Sequence, residues 1–213
     1  SFDDGLAAFQ RTVAELETGG LPLERALALF ERGTVLHAHL EKLITEAELK
    51  VQQLVTRAGG ALETIDVAPD AARLGPTERW IRSRAAATVG EVDAAFADHA
   101  YGEGARVLYE AIWNEFCDWG IELAKVRLGD PAVPDEERAA TWWTLVDALD
   151  TYLRLLHPVM PFVTEAIWGA LPRRSDDPDL LIVARWPAAG ERDAAVEADV
   201  TALVDLVRGI RNA

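Results

Sequence analysis

The sequence predicts an all-α protein, a two-helix, coiled-coil-like hairpin joined by a linker to an antiparallel helical bundle, and three observations carry this prediction. Apolar residues recur at spacings of three and four along most of the 213 residues, which is the period of helices with one buried face. Residues 57–76 lack this period and contain Gly59, Gly60 and Pro69, so they separate two parts as a linker would. All seven tryptophans lie after residue 74, so the two parts are built from different residue types.

The first part, residues 1–56, is predicted to form two helices. The apolar stripe of the first helix consists of Phe2, Leu6, Phe9, Val13 and Leu16. Gly19 and Gly20 end this helix, and Pro22 suits the first turn of a second helix that runs to about Val55. The apolar face of the second helix consists of Leu27, Phe30, Leu40, Ile44, Ala47, Val51 and Leu54. Two helices of unequal length cannot cover each other's stripes, so we expect the surplus apolar face to bind a partner.

The second part, residues 77–213, is predicted to form a bundle of five helices. They are expected at about 77–98, 103–127, 135–156, 162–171 and 192–212, where apolar residues keep helical spacing. Glycine and proline clusters near residues 102, 129–134 and 157–161 mark the breaks between them. Residues 180–184, which read Leu-Leu-Ile-Val-Ala, suggest a strand.

The composition is that of a folded, acidic protein. Apolar residues make up 50% of the chain, and 21 basic against 36 acidic residues give a formal charge of −15. This charge disfavours loose binding to nucleic acid, although a local basic patch can still bind it. No apolar run approaches the ~20 residues of a membrane span, and an acidic N-terminus is unlike a secretory leader. A single cysteine, Cys117, cannot form an internal disulfide, so we expect a cytoplasmic protein.

Few polar residues have the spacing of a catalytic or metal site. His37 and His39 diverge by about 200° on one helix, which favours surface or partner-facing histidines over metal ligands. Residues 102–104, Gly-Glu-Gly, lack the preceding strand of a phosphate-binding loop and are interpreted as a helix start. The remaining candidates are interpreted as surface acids (Asp147, Asp150), a solvated loop (Asp176, Asp177, Asp179) and a buried small residue (Cys117). We therefore predict no catalytic residue, metal or cofactor in this chain.

Arginines and tryptophans are the candidates for nucleic-acid contact, because phosphates need cations and unstacked bases need flat groups. The arginines are Arg79, Arg82, Arg84, Arg173, Arg174, Arg208 and Arg211. Solvated arginines without a ligand are the alternative interpretation. Trp113, Trp119 and Trp168 fall on apolar stripes and are predicted in the core. The adjacent Trp142 and Trp143 point about 100° apart, so we expect one of them to be partly exposed.

The turn between the first two helices reads Leu16-Glu17, then Gly19, then Leu21-Pro22-Leu23-Glu24. With the flanking apolar residues it resembles the small subunit of exodeoxyribonuclease VII over nearly all of residues 1–56. Members of that family lack an active site and coat a large catalytic subunit, so the resemblance implies that subunit as a partner. The residues implied in this contact are Phe2, Leu6, Phe9, Leu27, Phe30 and Leu40. The chain departs from the family pattern at residues 37–39, His-Ala-His.

The second part contains two distinctive sequence motifs: residues 114–119, Asn-Glu-Phe-Cys-Asp-Trp, and residues 157–162, His-Pro-Val-Met-Pro-Phe. They resemble the anticodon-binding domain of valyl-tRNA synthetase, a helical bundle of the class I enzymes. The resemblance implies recognition of the anticodon of valine-specific tRNA by some of the seven arginines. ATP and magnesium are implied only for a catalytic domain, whose His-x-Gly-His and Lys-Met-Ser-Lys-Ser motifs this sequence lacks. Arg82 and Gly120 depart from the pattern, and a glycine within a helix predicts looser packing around residue 120.

The leading hypothesis is thus a non-catalytic chain of two modules, one similar to an exonuclease subunit and one that binds the tRNA anticodon. A first alternative is an accessory subunit of a DNA-degrading complex, in which the hairpin dominates. A second alternative is a fragment or fusion without an evolved joint function, which the Ser1 start and the Ala213 end favour.

Overall fold

The computed structural model describes residues 2–17, 21–61 and 65–211, and every regular element in these ranges is helical. The all-α prediction is therefore confirmed. The chain divides into two compact units, residues 1–51 and 52–213, which are described in turn. Within the described ranges, none of the helices is both long and apolar enough to cross a membrane.

The first unit contains a helical hairpin. Helix α1 spans Phe2–Glu17, and helix α2 spans Leu23–Ala61, six residues beyond the predicted end. The two helices run antiparallel, because α1 contacts α2 in reverse order along the chain. A Cβ atom on Gly5 would lie 3.2 Å from Leu40, whereas Glu15 receives a hydrogen bond from Arg25 at 2.5 Å. The predicted turn glycines, Gly19 and Gly20, lie outside the described residues.

The buried face of α2 differs from the predicted one at its N-terminal end. Leu29, Gly33 and Leu40 are buried at helical spacing, whereas Leu27 and Phe30 are 56% and 65% exposed. A Cβ on Gly33 would lie at an ordinary contact distance of 3.8 Å from Thr12, so this face of α2 lies against α1. Further along the helix Val51 and Leu54 are buried as predicted, and Leu6 and Phe9 are half-buried on α1. The side chains of Phe2, Ile44 and Ala47 lie outside the described residues.

The second unit is a bundle of helices connected by short turns. A 3₁₀ turn at Ala71–Arg73 precedes α3 (Pro76–Ala97) and α4 (Tyr101–Tyr109). A π-helical segment at Glu110–Gly120 continues into α5 (Ile121–Gly129), so the predicted helix 103–127 consists of three pieces without a break. The chain then forms α6 (Asp135–Leu156), α7 (Pro161–Trp168), a 3₁₀ turn at Leu181–Val183 and α8 (Ala194–Arg211).

The predicted strand at residues 180–184 is wrong. This segment forms a 3₁₀ turn, in which Leu181 is buried while Ile182 and Val183 remain exposed. The amide of Leu181 donates a hydrogen bond to Glu165 on α7 at 2.9 Å, so a side chain rather than a neighbouring strand satisfies it. An apolar run of this length predicts burial, but it does not by itself provide a strand to pair with.

The core lies between α3 and α6. Val92 on α3 and Val146 and Leu155 on α6 are completely buried, and Phe116 packs edge-on against Tyr152 with ring centroids 5.5 Å apart. Trp143 is buried and donates its indole hydrogen to the Ile65 carbonyl at 3.1 Å. The predictions for single residues are mostly confirmed: Cys117 and Trp168 are buried, and Trp142, unlike Trp143, is half-exposed. Trp113 and Trp119 are only half-buried, so they lie at the edge of the core.

Two glycines in the first turn of α4 provide a matched test of this packing. A Cβ on Gly104 would lie 2.8 Å from Cδ1 of Phe96 and closer still to Cε1, whereas a Cβ on Gly102 meets none of the described atoms within 4 Å. We expect Gly104→Ala to lower the free energy of unfolding by about 1–3 kcal/mol, because the rigid ring must move. Gly102→Ala should leave it unchanged or raise it by up to about 1 kcal/mol. Urea unfolding followed by circular dichroism measures both, and equal effects would contradict the contact.

Candidate nucleic-acid interface

Two grooves flank α3, one on each side. The α3–α6 groove is an open cavity of about 680 Å³ between α3, α6 and residues 188–194. Its charged residues are Arg79, Arg82, Asp147, Glu191, Arg192 and Asp193, and small residues such as Ala86, Ala148 and Gly190 line the rest. Such a mixture of cations, acids and small apolar surfaces suits a flat polar ligand with a nearby anionic group.

The α3–α8 groove is a smaller cavity of about 360 Å³ between α3, the π-helical segment and α8. Trp119 lines it, with the guanidinium carbons of Arg208 and Arg211 at 5.7 and 5.9 Å from its ring centroid. These distances are typical of cation–π contacts, which hold the two arginines near the ring at the end of α8. Arg84 and Asn114 line the same groove.

A charged cluster connects α8 to α3 between the two grooves. Glu197 receives hydrogen bonds from Arg192 at 2.6 Å and from Ser83, and Arg84 lies 3.5 Å away. The hydrogen bond from Arg192 lowers the pKa of Glu197 from 4.5 to about 2, together with the hydrogen bond from Ser83 and the positive charges of Arg192 and Arg84. Arg84 also donates to Glu115 on the π-helical segment at 2.8 Å. The cluster therefore fixes three elements around the start of α8.

The structure brings five of the seven predicted arginines to the two grooves. Arg79 and Arg82 line the α3–α6 groove, Arg84 and Arg208 line the α3–α8 groove, and Arg211 lies against Trp119. Arg79 is paired with Asp193 at 3.3 Å, whereas Arg82 makes no ion pair within the described part of the chain.

Arg173 and Arg174 occupy a different place, after α7. Arg173 donates to the Pro178 carbonyl at 2.8 Å, and its guanidinium carbon lies 5.7 Å from the Trp168 ring centroid. Arg174 donates to Asp147 at 2.5 Å and to Asp150 at 3.0 Å. Both arginines therefore hold the 173–179 loop, and Arg174 reaches the α3–α6 groove only through Asp147.

The interpretation of Asp147, Asp150 and Asp177 as solvated acids is wrong. Asp150 is 3% exposed and also receives hydrogen bonds from Arg154 on the next turn of α6, and Asp177 pairs with Arg154 at 2.5 Å. Burial raises the pKa of Asp147, although Arg174 opposes this shift. Arg174 of the loop after α7 thus pairs with two acids on α6, whereas the spacing of Asp150 and Arg154 could have indicated only the ion pair within α6.

The remaining polar candidates lie apart from the grooves. His37 and His39 are both exposed, and His37 lies 3.6 Å from Glu41. Residues 102–104 fall in the first turn of α4, as predicted. Within the described ranges, no group of three or more His, Cys, Asp or Glu side chains has the geometry of a metal site.

The depressed pKa of Glu197 predicts a pH-dependent contribution to stability. Because the folded pKa is lower than the unfolded one, this contribution is complete above about pH 4.5 and disappears as the pH falls through about 2. Glu197→Gln should therefore lose roughly 1–2 kcal/mol of unfolding free energy at pH 7, allowing for solvent screening, and much less near pH 2. Denaturant unfolding at several pH values measures the difference.

Asp199→Asn is the control for this experiment, since Asp199 lies on the exposed side of the same helix. The free energy of unfolding of Asp199→Asn should differ little from that of the wild type at every pH. If Glu197→Gln lowers the free energy of unfolding by the same amount at pH 7 and at pH 2, the assigned role of the cluster is contradicted.

Comparison with known proteins finds a family match for each part of the chain. Residues 78–213 match the family described as the anticodon-binding domain of tRNA ligase, and residues 2–53 match the family described as the exonuclease VII small subunit. Similar proteins include valine–tRNA ligases from Latilactobacillus sakei, 42% identical over 148 residues, and from Thermotoga maritima, 39% identical over 141 residues. These matches cover 68% and 65% of this chain but only 16% and 15% of the relatives. The chain therefore spans about one sixth of the length of these relatives.

Proposed function

The chain belongs to the anticodon-binding domain family of tRNA ligases, and we propose from this membership that it binds transfer RNA at the anticodon. The match over residues 78–213 is the observation that carries the proposal. Since the relatives are named valine–tRNA ligase, valine-specific tRNA is the proposed partner. The chain would thereby serve the attachment of valine to tRNA, with ATP and magnesium bound by a catalytic domain outside this sequence.

The positions of the arginines support binding at the two grooves beside α3. Phosphate contacts position a nucleic acid, whereas contacts to base edges and faces distinguish its sequence. Arg82 is exposed and without an ion-pair partner among the described residues, so its guanidinium can meet RNA without breaking an existing ion pair. Arg208 and Arg211 provide a second cationic position at Trp119. RNA that follows both grooves would cross the surface of α3 and α8.

Titration of the chain with valine-specific tRNA, and with the same tRNA carrying another anticodon, tests the proposal. The valine anticodon should bind more tightly, and Arg82→Ala should weaken this binding by about tenfold, because a phosphate or base contact is lost. Four to six phosphate contacts should give a log–log salt slope of roughly −3 to −4 for a single-stranded loop. Filter binding or fluorescence anisotropy at several salt concentrations measures all three quantities.

Arg106→Ala is the matched control for Arg82→Ala. Arg106 is also an exposed arginine of the second unit, but it lies on α4, where Glu103 and Glu110 neutralise it. Its removal makes the same change in net charge and should alter tRNA affinity by less than about twofold. Binding that ignores the anticodon, or that both variants weaken equally, would count against the proposed site.

The exposed apolar residues of the hairpin support a second candidate function. Leu23, Leu27 and Phe30 are 79%, 56% and 65% exposed and follow one another at helical spacing on α2. Residues 2–53 match the exonuclease VII small subunit over the same segment. We propose that this face binds the large subunit of exodeoxyribonuclease VII, which makes the hairpin an accessory module of a DNA-degrading complex.

Co-purification with the large subunit tests this second proposal. Phe30→Asp should abolish the association, because a charge would be buried in an apolar contact. Val35→Asp is the matched control: Val35 is 70% exposed but lies roughly 80–140° around α2 from the three residues. If the wild-type chain fails to associate, or if both variants behave alike, the hairpin does not bind through this face.

A further inference from the structure

Asp147 is the acid that the α3–α6 groove presents to a ligand. Its Oδ1 atom accepts a hydrogen bond from Arg174 at 2.5 Å, which holds the carboxylate in place on α6. The side chain is 22% exposed and lines the groove, and Oδ2 accepts no hydrogen bond from the described part of the chain. One oxygen is thus fixed by the protein, and the other remains available as an acceptor.

Arg82 lines the same groove as Asp147 and presents a flat cationic surface. Its guanidinium carbon lies 5.7 Å from the ring centroid of Trp143, a buried residue that limits where the guanidinium can go. Burial raises the pKa of Asp147, and the charge of Arg82, like that of Arg174, opposes this rise. A guanidinium plane is a surface on which an unstacked base can lie.

Among the other charges of the groove, Glu191 is an exposed acid of the loop, whereas Asp147 is the acid that a hydrogen bond from Arg174 holds in place. Arg79 is paired with Asp193, and Arg192 is paired with Glu197 outside the groove. The three arginines and three acids of the lining cancel formally, so the groove is locally neutral in a chain of charge −15. A neutral base with a polar edge fits this balance better than a second phosphate.

We propose that the α3–α6 groove holds the third anticodon base, a cytosine, which stacks on Arg82 and donates its exocyclic amino group to Asp147. The inference rests on the proposed function and deepens it by assigning a specificity residue. Valine codons begin with G and U, so the valine anticodon ends in A and C, both of which carry an amino group. A carboxylate is the partner of the cytosine N4 amino group, whereas adenine is read by amide side chains, and this selects the cytosine.

The first experiment varies the RNA and keeps the wild-type chain. The anticodon stem-loop of valine-specific tRNA is titrated with cytosine, uracil or pyrimidin-2-one, which is cytosine without the amino group, at the third position. Loss of the amino group should weaken binding at least tenfold, and uracil should bind no better, because its O4 atom faces the carboxylate. Equal binding of cytosine and pyrimidin-2-one would overturn the inference.

The second experiment varies Asp147. Asp147→Asn can still accept from Arg174, but its amide can also donate to the O4 atom of uracil, so the preference for cytosine over uracil should fall below about threefold. Asp150→Asn is the matched control, since Asp150 binds the same Arg174 but does not line the groove. It should keep the tenfold preference. Unchanged discrimination in a folded Asp147→Asn variant would overturn the assignment.

A third measurement on the wild-type chain decides the matter if Asp147→Asn does not fold. A stem-loop with 5-iodocytidine at the third position retains the amino group and cross-links under ultraviolet light. Peptides from α3 or α6, such as those with Arg82 or Trp143, should carry the adduct, and adducts confined to other helices would overturn the inference. If the stem-loop binds without this discrimination, the inference fails alone, whereas if it does not bind at all, the proposed function fails with it.

Discussion

Glu78 is completely buried at the start of α3, and the packing of three helices depends on the hydrogen bonds that its carboxylate receives. Thr141 on α6 donates at 2.6 Å and Arg127 on α5 at 2.8 Å, and Arg127 donates further to the Arg73 carbonyl at 2.9 Å. A buried carboxylate without such partners costs several kcal/mol, so α3, α5 and α6 pack stably only in the register that supplies them. The guanidinium of Arg127 occupies the position that a Cβ atom on residue 75 would take, so only a glycine fits there. The same register places Arg79 and Arg82 of α3 at the α3–α6 groove.

The net charge of the chain opposes the approach of RNA, and this restricts how the proposed recognition can work. A charge of −15 repels phosphates at a distance, but at physiological salt such repulsion is screened beyond about 8–10 Å. Attraction must therefore come from cations within a few ångströms of the bound RNA. Most arginines beside α3 are already held by acids, which lowers their attraction for phosphate but fixes their geometry. Such a surface favours selective contacts to splayed bases over sequence-blind binding, since the latter depends on accumulated positive charge.

The sequence predicts those features of the fold that depend on residues close together in the chain, and not those that depend on distant residues. The bounds of α6 agree with the prediction, because acids after Pro134 begin the helix and the period of its apolar residues continues until Pro158. The position of the grooves beside α3 could not be predicted, since the Ser83–Glu197 hydrogen bond joins residues 114 positions apart. The pairing of Asp147 with Arg174 was missed for the same reason, because both residues look like surface charges until the loop after α7 folds back. The proposed anticodon-binding role came from family resemblance, because no spacing of residues indicated it.

The π-helical segment shows how a wider helical turn can serve both the core and a groove. Its buried pairs at 111 and 112 and at 116 and 117 lie five residues apart, a spacing wider than the 3.6 residues of an α-helix, and Gly120 forms a third pair with Ile121 of α5 four residues later. Gly120 belongs to the last pair and is buried, and a Cβ there would lie at an ordinary contact distance of 3.4 Å from Ile81, so the looser packing expected at this glycine stays a prediction. Between the buried pairs the segment turns Glu115 towards Arg84 and Trp119 towards the arginines of α8. An α-helix with the same sequence would carry its later residues to other faces, so the wider turn keeps the core contacts and the α3–α8 groove together.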